Sequence, residues 1–94
     1  MNLGETIRRL RKERGFSLKD VAAKDGISNN ALSAIEKDKS MPTIKTFDAI
    51  CNAIGLPRYL VLAECVTIDD VPPEKREAFR VIWPPIMEYL RSNK

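Results

Sequence analysis

The segment between Ser17 and Lys37 constrains the fold of this chain more than any other part. It contains two stretches of helical spacing, and the small residue Ala22 precedes Gly26 by four positions. Closely crossing helices need a small side chain where they touch, and the turn between them needs a residue that tolerates positive φ. The residues expected to face inward are Val21, Ile27, Leu32 and Ile35. The pattern favours a helix-turn-helix over a plain helical hairpin with an accidental spacing.

The rest of the chain also predicts helices, because no segment alternates convincingly at period two. The expected helices cover about 3–14, 18–24, 29–37, 44–54, 57–63 and 73–83. Asn2, with Glu5 three positions later, is expected to cap the first helix. The pair Pro84-Pro85 is expected to interrupt the sixth helix and bend the chain, with a further turn or two from Ile86 to Arg91. The prediction is an all-α chain.

Composition excludes several function classes. The sequence has no histidine, which removes His-ligated metal sites and His-based catalysis. Its two cysteines match no metal motif; we expect Cys51 in the core and Cys65 as a surface or linker thiol, both reduced, with a regulatory disulfide as the less favoured alternative. No catalytic dyad or phosphate loop is visible, so we predict no enzyme activity, no metal and no cofactor.

The chain is predicted to be cytoplasmic. Its longest apolar run, Tyr59 to Ala63, is too short to span a bilayer, and the polar N-terminus does not look like a secretory signal. Residues 1–64 contain 11 basic and 8 acidic residues, a net charge of +3, whereas residues 65–94 contain 5 of each. The excess positive charge therefore lies in the first two-thirds, which only weakly suggests a polyanionic partner.

Beyond the helix-turn-helix pattern, further motifs agree with one another. They are Ile7-Arg8-Arg9-Leu10-Arg11, Gly15-Phe16-Ser17-Leu18, Ile35-Glu36-Lys37, Pro42-Thr43-Ile44 and Leu56-Pro57. Together they resemble the lambda-repressor-like, Cro/XRE-type helix-turn-helix family over about residues 3–64. The resemblance implies a five-helix DNA-binding domain over 1–64, whose third helix enters the major groove of double-stranded DNA. It also implies a transcriptional regulator, most simply a repressor that binds a palindromic operator as a homodimer.

The resemblance also assigns roles to individual residues. The positions expected to contact bases are Asn29, Asn30, Ser33 and Ala34, and those expected to contact phosphates are Ser28, Lys37, Lys39 and Lys45. A carboxamide can both donate to and accept from adenine, although asparagines near a helix start are also common for local reasons. Arg11 and Glu36 are expected to form a buried ion pair. The run from Arg8 to Arg14 is expected to be a solvated face that approaches DNA only at its edge.

The sequence departs from the family pattern at two places. Leu18 replaces a common glutamine that helps relatives to grip phosphate, and Asp25 stands where apolar or long side chains are more usual. Asp20, Asp25 and Asp38 add negative charge near the expected DNA face. These departures leave open weak DNA affinity or a role in protein contacts.

Residues 65–94 form a linker and a helical tail that the resemblance does not cover. Its apolar residues at helical spacing are Phe79, Ile82, Trp83, Ile86, Tyr89 and Leu90. We expect this face to form a dimer interface or to contact a partner protein, with packing on the chain's own core as the alternative. The second functional hypothesis is accordingly a protein-interaction module, such as an antitoxin or partner-binding regulator.

Overall fold

The computed structural model describes residues 1–92, and within that range the chain is helical and has no strand. The helices are α1 (Leu3–Glu13), α2 (Leu18–Asp25), α3 (Asn29–Glu36), α4 (Ile44–Ile54), α5 (Arg58–Glu64) and α6 (Arg76–Ser92). Two short 3₁₀ turns, Ile68–Asp70 and Pro73–Lys75, lie between α5 and α6. The predicted all-α fold, five helices with an appended C-terminal helix, is confirmed.

The helix boundaries follow from capping chemistry. Ser17 and Asp20 form a reciprocal capping box at the start of α2, and Ser28 accepts from the backbone N–H of Ala31 at 3.0 Å at the start of α3. Gly26 ends α2 at φ 75°, as the turn requires. The expected cap at Asn2 was wrong, because its side chain makes no capping hydrogen bond.

The apolar faces of α1 to α5 meet in one core. Its fully buried side chains include Ile7, Val21, Leu32, Ile50 and Ile54. Ala22, 1% exposed, lies in the same cluster, where its short side chain lets the neighbouring helices approach closely. This core fixes α3 against α1 and α2 and leaves one side of α3 open.

The predicted interruption at Pro84-Pro85 was wrong, because α6 continues through both prolines. Adjacent prolines remove backbone donors from a helix, so contacts elsewhere must hold it. Before the prolines, the Phe79 ring stacks on Trp83 with centroids 5.3 Å apart. After them, Met87 is buried and Arg91 donates to Glu64 at 2.6 Å. A ring stack within α6 before the prolines and tertiary contacts with α5 after them therefore override the local preference.

The expectation of a surface thiol at Cys65 was wrong, since this residue is fully buried and its Sγ donates to the carbonyl of Val61 at 3.1 Å. Cys51 is also buried, as predicted. Both thiols are free, and burial raises the pKa of Cys65 and raises that of Cys51 to about 11. Two buried, protonated thiols act as small apolar residues rather than as redox groups.

Candidate nucleic-acid interface

The open side of α3 presents the residues that were predicted to read bases. Asn29 and Asn30 are exposed in its first turn, and Ser33 and Ala34 are half-buried one turn later. Positions 29, 30 and 33 lie within about one turn of one another on a helix, so they share one face. The structure therefore brings these predicted residues together on one short helix.

Ser28 has a structural role at the start of this helix. Its hydroxyl oxygen accepts from the Ala31 amide, which leaves its hydroxyl hydrogen available to donate outward. The helix N-terminus also carries backbone N–H groups without intrahelical partners, an arrangement that suits an anion. A cap and a phosphate contact are compatible at this residue.

A buried ion pair joins α1 to α3. Arg11 Nε donates to Glu36 Oε2 at 2.7 Å and Arg11 Nη2 donates to Glu36 Oε1 at 3.0 Å, with the two side chains 8% and 4% exposed. Arg11 Nη1 also donates to the carbonyl of Phe16 at 2.9 Å, in the loop that leads to α2. The Arg11 guanidinium thus connects α1, α3 and the loop before α2. Its planar fork fixes their relative orientation.

A second contact between α1 and α3 involves Gly4 and Asp38, which sequence reasoning did not pair. The Gly4 amide donates to Asp38 Oδ1 at 3.0 Å. A Cβ on Gly4 would lie 2.3 Å from the carbonyl oxygen of Ile35, so only glycine permits this approach. Asp38 has φ 58°, a positive value that no other non-glycine residue in 1–92 shows. The Asp38 side chain, two residues after α3, thereby caps the start of α1 and joins the two helices.

An open cleft of about 630 Å³ lies between α1 and α3. Its lining has a small excess of basic over acidic residues: Arg8, Arg11, Lys12 and Lys37 against Glu5, Glu36 and Asp38, with Leu18 and Ser33. Arg8 and Lys12 lie one turn apart on α1, and Ser33 and Lys37 face them one turn apart on α3. The side chains of Arg8, Lys12 and Lys37 form no ion pair within the described residues. The four-residue spacing of Arg8 and Lys12 indicates that they share one face of α1. Their position opposite α3 becomes visible only in the folded structure.

The remaining predicted phosphate contacts lie on the loop after α3 and at the start of α4. Lys39 and Lys45 are both exposed. Thr43 caps α4 by accepting from the Thr46 amide at 3.1 Å, and this places Lys45 in the first turn of that helix. Both side chains are therefore solvent-exposed cations.

The structure explains Leu18 and Asp20 but not Asp25. Leu18 is half-buried and packs against the core rather than projecting a polar group outward. The Asp20 carboxylate is part of the capping box, and its hydrogen bonds with Ser17 lower its pKa. Asp25 is half-buried with one oxygen, Oδ2, that has no hydrogen-bond partner in the structure, and burial raises its pKa.

The structure divides the apolar residues of α6 between two faces. Phe79, Trp83 and Leu90 are half-buried, and Met87, which the sequence analysis missed, is 4% exposed. Trp83 and Met87 share a small cavity lining with residues around the end of α5, so this inner face packs on the chain itself. Three other predicted residues are exposed: Ile82, Ile86 and Tyr89. Within residues 1–92 no helix is long and apolar enough to cross a bilayer.

Comparison with known proteins agrees with this geometry. The family profile described as helix-turn-helix matches residues 7–60. The chain is 30% identical over 74 residues to the immunity repressor protein of Bacillus phage phi105, covering 79% of this chain and 51% of that protein. It is 38% identical over 56 residues to the HTH-type transcriptional regulator DdrOP3 of Deinococcus deserti, covering 60% of this chain and 43% of that one.

A third relative is closer in length. The HTH-type transcriptional regulator y4dJ of Sinorhizobium fredii is 32% identical over 71 residues, covering 76% of this chain and 87% of the relative. In contrast, the chain spans about half the length of the phage and Deinococcus proteins. The matched region contains α2, α3 and the Arg11–Glu36 pair. The chain belongs to the Cro/C1-type (XRE-type) helix-turn-helix family of DNA-binding transcriptional regulators.

Proposed function

We propose that this protein is a transcriptional repressor that binds a palindromic operator as a homodimer, with α3 of each copy in the major groove. The observation that carries the proposal is the exposed face of α3, which is held by the Arg11–Glu36 pair on one side and the Gly4–Asp38 cap at its end. A rigidly held helix with exposed polar side chains is what base readout requires. The repressor role is supported by the name of the related phage protein, an immunity repressor.

Asn29 and Asn30 read bases in this proposal. Both are exposed, and a carboxamide can donate to N7 and accept from the N6 amino group of adenine in a bidentate pair. Ser33 and Ala34 are shorter and lie one turn farther along, where Ser33 can hydrogen-bond a base edge and Ala34 can contact a thymine methyl group. Half-sites that contain A·T pairs are therefore expected.

The flanking cations and the start of α3 bind the DNA backbone. Lys37, Lys39, Lys45 and Ser28 supply the contacts around the ends of α3. Arg8 and Lys12 add a second group across the cleft, because they are unpaired and face Ser33 and Lys37. With about five phosphates neutralised by the cations of each copy, and about ten by the dimer, affinity should fall on the order of 10⁵-fold between 50 and 200 mM salt.

Two copies would occupy half-sites whose centres are one helical turn, roughly 34 Å, apart. Repression then follows from steric exclusion at promoter DNA. The protein would act in the cytoplasm, where the DNA of a bacterial host lies, and its relatives are bacterial and phage regulators. No metal or cofactor takes part in this scheme.

Selection of bound sequences from a random duplex pool at near-physiological salt tests the proposal. Enrichment of a palindrome with adenine-containing half-sites one turn apart is expected. The double variant Asn29→Ala, Asn30→Ala should lose the enriched sequence but keep non-specific binding. A matched control, Asn52→Ala, changes an exposed asparagine on α4 and should leave the selection unchanged. Failure of the folded parent protein to enrich any sequence would contradict the proposal.

The second candidate function is a protein-interaction module that uses α6, as an antitoxin would. The observation in its favour is the apolar surface on α6 that the chain's own core does not cover. If this candidate is correct, substitutions at exposed α6 positions should abolish partner binding and leave DNA selection intact. The same substitutions should weaken palindrome binding if the surface joins two copies of this chain.

A further inference from the structure

The turn that ends α3 has an aspartate at the position where glycine fits best. The Asp38 amide donates to the Ile35 carbonyl at 3.1 Å, and the Lys39 amide donates to the Ala34 carbonyl at 2.9 Å. These two bonds form a Schellman motif, in which the residue after the C-cap, here Asp38, adopts positive φ. Asp38 has φ 58°, a conformation that glycine takes without a Cβ penalty. The turn by itself therefore does not explain an aspartate at this position.

The Asp38 side chain has a second role, outside the turn. Its Oδ1 accepts from the Gly4 amide at 3.0 Å, in the first turn of α1, where Asn2 supplies no side-chain cap. A carboxylate suits a helix N-terminus, because it satisfies an amide that has no intrahelical partner and interacts favourably with the helix dipole. The two segments meet closely, since a Cβ on Gly4 would lie 2.7 Å from Asp38 Oδ1. Asp38 thus provides the cap that α1 lacks locally.

Two exposed lysines flank Asp38 in the chain. Lys37 is the C-cap of α3 and Lys39 follows Asp38, and neither side chain forms an ion pair within residues 1–92. Because the backbone has only two soft dihedral angles per residue, the φ and ψ of Asp38 set the direction of one lysine relative to the other. The bond to Gly4 then fixes both lysines relative to α1.

We propose that Asp38 is a positioning residue for DNA binding, which holds Lys37 and Lys39 at the DNA backbone through its bond to Gly4. This role deepens the proposed function and rests on it, because that function assigns phosphate contacts to both lysines. Asp38 itself does not touch DNA, since a carboxylate and a phosphate repel each other. Its charge serves the start of α1 instead. A negative residue at the edge of the DNA face thereby favours binding.

Substitutions of Asp38 in the full chain separate positioning from simple charge repulsion by the sign of their effect. Asp38→Asn removes the charge but keeps an oxygen that can accept from Gly4 and a residue that tolerates positive φ. It should bind a duplex with one selected half-site at least as tightly as the parent does. Asp38→Gly keeps the turn but removes the cap, and it should bind the same duplex at least about tenfold more weakly. If Asp38 only repels DNA, both variants will bind more tightly than the parent, and the inference is wrong.

A double-mutant cycle tests whether Asp38 acts through the lysines. In the background Lys37→Ala, Lys39→Ala, the change Asp38→Gly should no longer weaken half-site binding, because the contacts that it positions are already absent. With the lysines present, Asp38→Gly should reduce the slope of log K against log[salt] by up to about 1.8 for one bound copy, the value for both lysine contacts. An unchanged slope, or an effect of equal size in both backgrounds, would indicate a purely structural role and overturn the inference.

Glu5→Gln is the matched control for charge. Glu5 is exposed, lines the same cleft as Asp38 and forms no ion pair within residues 1–92. Its substitution removes a negative charge without touching the turn, so it should not weaken half-site binding. Circular dichroism should show the helix content of the parent in every variant. Weakening by Glu5→Gln as large as that by Asp38→Gly would contradict a specific role for Asp38.

Exchange of the Gly4 amide hydrogen tests the contact in the parent protein, even if Asp38→Gly does not fold. The chain has four glycines, so isotope labelling of glycine alone gives few signals in a nuclear magnetic resonance spectrum. The Gly4 amide should exchange slowly in the parent and in Asp38→Asn, and at least about tenfold faster in Asp38→Gly. A Gly4 amide that is unprotected in the parent would show that Asp38 does not hold α1, and the inference would fail.

The measurements also separate this role from the proposed function. If the folded parent selects no half-site, the proposed function fails, and the role of Asp38 in DNA binding fails with it. If the parent binds a half-site but Asp38→Gly binds it as tightly as Asp38→Asn does, the proposed function stands and only the role of Asp38 is wrong.

Discussion

Arg11 and Glu36 form a bidentate ion pair, at 2.7 and 3.0 Å, that is almost completely removed from solvent. Taking two charges out of water is costly, and such a pair stabilises the fold only if its hydrogen bonds are complete. The additional bond from Arg11 to the carbonyl of Phe16 uses another guanidinium N–H. The pair is therefore an orienting device between α1 and α3 more than a source of net stability.

Removal of one partner should be strongly destabilising. Glu36→Leu leaves the Arg11 charge buried without its counterion, and we expect the free energy of unfolding to fall by about 3–5 kcal/mol. The double variant Arg11→Met, Glu36→Leu should recover most of this loss but bind the operator less well, because the fork that fixes α3 is gone. Urea denaturation measures the first effect and operator titration the second. Equal stability of the single and double variants would contradict the conclusion that Glu36 compensates a buried charge on Arg11.

Gly4 should tolerate no side chain. In Gly4→Ala the new Cβ would meet the Ile35 carbonyl oxygen at 2.3 Å, so the start of α1 must move away from α3. We expect a loss of about 1–3 kcal/mol, typical of overpacking. Gly15→Ala is the control, since its φ of 79° is unfavourable for alanine but no atom lies within 4 Å of the new Cβ. A smaller loss for Gly4→Ala than for Gly15→Ala, in thermal or urea unfolding, would argue against the close contact.

The helix order and most caps could be predicted because they depend on local chemistry. Ser17 with Asp20 and Gly26 carry their signals within a few positions. The contact of Gly4 with Asp38 joins residues 34 positions apart and leaves no local signal. The continuity of α6 through Pro84 could not be predicted either, because it depends on packing against α5.

The candidate site was predictable to a similar extent. Asn29 and Asn30 could be placed on the exposed face of α3 from the motif alone. The opposition of Arg8 and Lys12 to Lys37 depends on how α1 crosses α3, which no spacing within one helix encodes. The division of α6 into two apolar faces likewise depends on which residues α5 covers.

Arg8 should contribute to DNA affinity without contributing to sequence preference. If it meets a phosphate across the cleft from Lys37, Arg8→Ala should weaken binding similarly on all duplexes and reduce the slope of log K against log[salt] by about 0.9 for each bound copy, or about 1.8 for the dimer. Titrations of operator and scrambled duplexes at several salt concentrations measure both quantities. The control Arg80→Ala removes an equal charge on α6, away from the cleft. An unchanged slope for Arg8→Ala, or a slope reduced equally by the control, would refute the phosphate contact.

Glu64 makes the attachment of α6 sensitive to acid. Its carboxylate accepts from Arg91 and Arg9, and the hydrogen bond from Arg91 is the main cause that holds its pKa below the usual 4.5. A carboxyl group with a lowered pKa in the folded state stabilises the fold above its unfolded pKa, and this contribution disappears as pH falls through the folded pKa. The stabilisation is therefore fully present at neutral pH and is lost progressively below about pH 4.5.

The variant Glu64→Gln should test this dependence. It should unfold more easily than the parent at pH 7, and the difference in free energy of unfolding should shrink as the pH falls below about 4.5. Chemical denaturation between about pH 3 and 7 measures the difference directly. Glu74→Gln, at an exposed position for which no ion pair is found in residues 1–92, is the matched control and should show little difference at any pH. If the difference in free energy of unfolding between Glu64→Gln and the parent stays constant across this pH range, the charge of Glu64 does not hold α6 on α5.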